Sequence, residues 1–115
     1  MKMKRIEATI QSNKIGAVTD ALNDVVGGFT ILEGNGRGSG ARQEIRSGRG
    51  TGTITAEYNK VATITTIVDD SEVERVSAVI SDAVFTGRGG DGIIAVTNVE
   101  SVLNIASKKR DSEAL

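Results

Sequence analysis

The sequence predicts an α+β fold, a ferredoxin-like βαββαβ sandwich with a long loop between strands 2 and 3. Three observations carry it. A strand period gives way to a helical period twice along the chain, glycines follow the helical runs, and 115 residues is the length of one domain. The first strand is RIEATI, residues 5–10, which puts Ile6, Ala8 and Ile10 on one face. From Ile15 the spacing becomes helical through Val18, Ala21, Leu22 and Val25, with Ser12 or Asn13 available as a cap. Gly27 and Gly28 are expected to stop this helix, and FTIL, from Phe29, begins the second strand.

The second half repeats the pattern. Ile64, Thr66 and Val68 stand in the register of Ile6, Ala8 and Ile10, and Val73, Val76, Val79, Ile80 and Ala83 in that of the first helix. Asp69 and Glu72 offer a capping-box-like start. A fourth strand, IIAV at 93–96, closes the unit. Two β-α-β units of this kind pack both helices on one face of a four-stranded antiparallel sheet. The other face needs a cover, which favours an oligomer. Residues 98–106 offer a further short helix, so the domain is expected over 1–106, with 107–115 a mobile tail.

Composition excludes much chemistry. The chain has no cysteine and no histidine, so disulfides, thiol catalysis, Cys/His zinc sites and a Ser-His-Asp relay are all ruled out. A net charge of -1 gives no electrostatic basis for nucleic-acid binding, and Lys108, Lys109 and Arg110 have no aromatic companion. No apolar run is long enough for a membrane span and MKMKR leads into no signal-peptide core, which makes cytoplasmic the simplest address.

Half of the 14 glycines fall in residues 34–52, GNGRGSGARQEIRSGRGTG, where Arg37, Arg42, Arg46 and Arg49 face a single acid, Glu44. A long loop with so little to bury is either a solvated insertion or a basic arm that orders on a phosphate ligand or an acidic partner. A second loop, TGRGGDG at 86–92, holds four glycines between a helix and a strand. Its order is the reverse of a Walker loop, and both the GK[ST] end and the GxGxxG spacing are absent. Two readings stand at this point. Gly87 caps the helix ahead of a tight Asp91–Gly92 turn, or the backbone N–H groups form a nest for an anion with Arg88 beside it.

KRIEATI, GGFTILEGNGRG at 27–38, Lys60 and TGRGGDG together resemble the PII signal-transduction proteins over roughly residues 4–106. The family's glycine turn is usually TGKIGDGK. The resemblance implies a homotrimer with an adenine nucleotide (ATP, ADP or AMP) in each inter-subunit cleft. It places Gly87, Arg88, Gly89, Gly90, Asp91 and Gly92 around the phosphates, with Arg37 and Gly38 close by. Thr30, Gly36 and Thr66 would lie near the base or ribose, and Lys60 would meet a small effector. Loop 37–56, with Arg42, Arg46 and Arg49, would be the arm that regulates a partner protein, for which a membrane transporter is a candidate.

The sequence also departs from the family. GRGSG at 36–40 stands for the usual GFGRQ, so Gly40 replaces the glutamine that helps hold 2-oxoglutarate and magnesium, and Ser39 replaces a phosphate-binding arginine. Ile93, Asn104 and Ala106 replace three further basic contacts. These changes argue against 2-oxoglutarate sensing and leave Mg2+ open. Tyr58 lies too near the third strand to match the tyrosine that some members carry for uridylylation. The expected function is a non-enzymatic nucleotide-binding regulator. The alternative is a trimeric interaction module whose nucleotide site has degenerated. An enzyme would need a metal-binding carboxylate group and a base, and only Asp91 and Glu33 lie near the glycine loops.

Overall fold

β1 (Met3–Gln11), β2 (Thr30–Gly36), β5 (Asn59–Asp69) and β6 (Gly92–Val99) form one antiparallel sheet in the order β2-β5-β1-β6. Two helices, α1 (Ile15–Leu22) and α2 (Val73–Val84), cover one face, as the ferredoxin-like plan requires. The computed structural model describes residues 2–38, 44–46 and 52–115.

Alternation along the strands builds the core. Ile6, Ala8 and Ile10 of β1 and Ala62, Ile64 and Val68 of β5 turn towards the helices, where they meet Val18 and Leu22 of α1 and Val76, Ile80 and Val84 of α2. The internal repeat is therefore a spatial one: Ile6 and Ile64 share a layer, as do Leu22 and Ile80. Each helix even enters through its own 3-10 turn, at Ser12–Lys14 and Asp70–Glu72. Ile80 is fully buried, and Ile80→Ala is expected to cost about 2–5 kcal/mol, read as a lower urea midpoint with unchanged slope.

Local expectations were corrected at four places. Helix α1 stops at Leu22, ahead of Gly27, because Asp24 takes the left-handed conformation (φ 62) and Val25 N–H turns back to Leu22 O at 2.9 Å. Neither α1 nor α2 receives a side-chain cap. Glu72 pairs instead with Arg75 at 2.8 Å, and Arg75 Nη2 also donates to Val25 O, tying α2 to the segment that follows α1. Residues 98–106 form no helix: β6 runs to Val99, and Asn104 Oδ1 accepts from the N–H groups of Ala106 and Ser107, folding a turn.

The fourth correction is the tail, which is packed rather than mobile. Leu103 and Arg110 form a β-bridge, Asp111–Ala114 is a 3-10 turn, and Asn104 Nδ2 donates to Ala114 O at 3.2 Å. Ala114 is 8% exposed, and the chain end lies against Gly27. Part of the 37–56 segment is likewise a two-stranded ribbon, β3 (Glu44–Arg46) against β4 (Thr53–Thr55), where Thr53 Oγ1 donates to Glu44 Oε2 at 3.0 Å.

Among the described residues no element covers the opposite sheet face. Leu32 and Ile93 stand on it 67% and 69% exposed, flanked by the half-buried Val61, Thr63, Thr65 and Ile67. Among the described residues no helix is long and apolar enough to cross a membrane.

Candidate functional site

A cleft of about 380 Å³ opens at one end of this uncovered face. Its floor is the end of β1, Thr9 to Gln11. One wall is the end of β2 and the turn after it, Gly36, Arg37 and Gly38. The other is Gly90, Gly92 and Ile93, where the second glycine loop enters β6. The sheet order explains the meeting: β2 and β6 are the two edges, and their glycine-bearing ends flank the central strands at the same end.

TGRGGDG is neither a plain turn nor a slack one. Asp91 closes it like a clasp. Its Oδ2 accepts from Thr86 N–H at 2.8 Å and Gly87 N–H at 3.0 Å, and its Oδ1 accepts from the Thr86 hydroxyl. Thr86 Oγ1 in turn accepts from Arg88 N–H at 3.2 Å. These bonds, the Thr86 hydroxyl first, hold the Asp91 carboxyl below its usual range, with Lys14 a lesser electrostatic contributor. From outside the loop, Gln11 Nε2 donates to Gly90 O at 3.0 Å. The N–H groups of Gly89 and Gly90 are left with no protein acceptor among the described residues, as a backbone anion nest requires.

Three glycines here have a geometric reason. Gly87, Gly90 and Gly92 all take positive φ, at 83, 95 and 127. At Gly92 an added Cβ would stand 2.2 Å from Thr9 O, so β1 and the loop approach closely only because that position has no side chain. At Gly90 a Cβ would press on the Gln11 amide at 3.3 Å.

The remaining sequence candidates divide. Lys60 lines a different cavity with Ser12, Glu33 and Asn35. Arg88 falls on the helix side of the loop, in a cavity with Lys14, and not in the cleft with Gly36. Thr30 begins β2, six residues or about 20 Å of strand from Gly36. Thr66 is 4% exposed and its hydroxyl donates to Gly28 O at 2.7 Å, so it positions the Gly28 carbonyl instead of facing solvent. Of the loop arginines, Arg42 and Arg49 lie outside the described residues, and Arg46 is described through its backbone alone. Sequence reading missed Gln11 and Lys14. The signal for both was positional, since they flank the end of the strand that forms the cleft floor.

Residues 3–109 match the family model for nitrogen regulatory protein P-II. The chain belongs to the P-II family. It is 37% identical to a nitrogen regulatory protein P-II of Azospirillum brasilense over 114 residues, covering 98% of this chain and all of that one. A relative of the same description from Synechocystis is 35% identical over 116 residues, with the same coverage. In structure the chain is similar to Arabidopsis thaliana PII bound to citrate, with a TM-score of 0.79 over 99% of this chain and 92% of that one; at 23% identity this likeness concerns the fold. P-II proteins are signalling proteins, and the family's βαββαβ core is the one described above.

Proposed function

We propose that this P-II chain is a non-enzymatic trimeric regulator that binds an adenine nucleotide between subunits and controls a partner protein through residues 37–56. One observation supports this reading above the others: the Gly36–Gly38 turn and the Gly90–Gly92 loop meet at a single cleft on the uncovered sheet face. Phosphates would sit against the N–H group of Gly90, with Arg37 as the nearby cation, while Gly89 faces the neighbouring cavity with Arg88. Gly87 and Asp91 would act by setting the shape of that loop. The cleft lies on the face that a second copy would cover, so association would enclose the ligand. Thr30, too far along β2 to reach this cleft within one chain, would then serve the site from a neighbouring copy, as would the Gly28 carbonyl that Thr66 positions. Ligand bound at Gly36 touches the root of the 37–56 segment, which gives it a means of favouring one arrangement of that segment over another.

Which nucleotide is preferred depends on charge. Asn104 spends its side chain on the C-terminal turn and Ile93 lines the cleft as an apolar residue, so neither supplies a cation. This favours ADP or AMP over a triphosphate held with Mg2+. The same observation supports the second reading, an interaction module with no working nucleotide site.

Thermal-shift measurements separate the two. With ATP, ADP and AMP, each with and without Mg2+ and 2-oxoglutarate, the regulator shows a concentration-dependent rise in Tm for at least one nucleotide. Gly90→Ala, strained at φ 95 and pressed on Gln11, is expected to abolish that rise while light scattering still gives a trimer mass. No rise for any nucleotide with the wild-type trimer supports the module. A monomer mass contradicts both.

A further inference from the structure

Arg88 is the one charged side chain of the glycine loop that the nucleotide cleft does not absorb, and its surroundings form a cavity of their own. That cavity, about 290 Å³, lies between the turn leading into α1, the end of α2 and the helix side of the loop. We propose that it is a second binding site, for a small tetrahedral oxyanion such as a phosphate group.

Two cations line it, Lys14 from the 3-10 turn before α1 and Arg88 from the glycine loop, together with Asn13 and Gly89. The only ion pair among the described residues is Arg75 with Glu72, so neither Lys14 nor Arg88 contacts a carboxylate, and Lys14 interacts with Asp91 only at longer range. The single acid in the lining is Asp91. Its oxygens are taken up by Thr86 and Gly87, which directs its hydrogen bonding into the loop. Two positive charges against one negative charge leave the lining with an excess of one positive charge. A guanidinium fork, an ammonium, an amide and a loop N–H with no protein acceptor are the groups a tetrahedral oxyanion uses. Val84 is the one apolar side chain in the lining, and a cavity of about 290 Å³ suits a small guest. This inference does not rest on the nucleotide reading, because Gly36 and Arg37 line the other cleft.

The test is an amide NMR titration of the full chain with inorganic phosphate and, separately, glycerol 3-phosphate. Saturating shifts are expected at Lys14 and Gly89. Lys14→Gln and Arg88→Gln should each weaken binding at least tenfold, while Arg37→Gln stays within twofold of wild type. Binding of both compounds assigns the site to a phosphate group in general, and binding of inorganic phosphate alone assigns it to the free ion. The proposal is overturned if neither saturates. It is equally overturned if shifts centre on Gly36 and Gly38 and vanish in Arg37→Gln, because the phosphate then binds in the nucleotide cleft. Wild type and Arg37→Gln decide these outcomes even if a Lys14 variant fails to fold. An ADP titration read at Gly36 and Gly38 reports on the nucleotide reading separately.

Discussion

Among the described glycines, Gly92→Ala is expected to be the most damaging single-methyl change. The added Cβ would meet Thr9 O at 2.2 Å at a residue whose φ is 127. Neither problem has a cheap remedy, since the obstacle is backbone of a central strand and the conformation is one that L side chains rarely adopt. Moving β6 away from β1 would break the Ile10–Gly92 pairing that starts their ladder. Strain of this type and the loss of a pairing together cost about 3 kcal/mol or more, a drop of roughly 10 °C or more in Tm for a domain of this size. Calorimetric melting checks the stability, and loss of the nucleotide-dependent rise in Tm checks the site. Gly89→Ala is the control: its Cβ would meet nothing within 4 Å and its φ is not positive, so melting should barely change.

The second large effect is at Asp91. Replacement by alanine removes three hydrogen bonds at once and frees the loop from Thr86 to Asp91, while the core of Ile6, Ile64 and Ile80 is untouched. Nucleotide affinity is expected to fall at least tenfold with little change in circular dichroism. Asp91→Asn should lose less than alanine, because its amide oxygen can accept from both the Thr86 and Gly87 N–H groups while its amide nitrogen donates to the Thr86 hydroxyl, so that mainly the charge is lost. The pH dependence has a definite sign. Hydrogen bonding keeps the folded carboxyl more acidic than an ordinary aspartate, so the clasp is fully present above the usual carboxylate range and is lost only as pH falls below that range, through the lowered folded value. Binding should therefore be flat with respect to this group from mildly acidic to neutral pH and fail only in strong acid. A loss of binding centred near pH 6 would be contrary to a clasp built on Asp91.

The architecture was legible because it rests on burial, and burial leaves a period. Ile6, Ala8 and Ile10 repeat as Ile64, Thr66 and Val68 because both strands face the same helical layer, and Val18 repeats as Val76 for the same reason. Even Thr66, the polar member of the set, is buried where the period puts it, with its hydroxyl satisfied by Gly28 O. What sequence could not supply were interactions decided by the loop's path. Asp91 could be read as the first half of a turn, whereas the clasp exists only because the loop brings Thr86 back to it. Gln11 looks like the end of a strand until Gly90 O is seen 3.0 Å away. Asn104 was visible as a missing cation but not as the staple of a packed C-terminus. Helix stops were misplaced because Asp24 adopts the left-handed conformation ahead of the two glycines that seemed suited to it.

The central claim is that TGRGGDG and the Gly36 turn form one nucleotide cleft per subunit. Titration calorimetry of the wild-type protein with ADP tests it most directly. Saturable heat with a stoichiometry near one ADP per chain, lost in Asp91→Ala, is the result expected. Absence of saturable heat with a properly assembled trimer, or binding that survives Asp91→Ala undiminished, would contradict it.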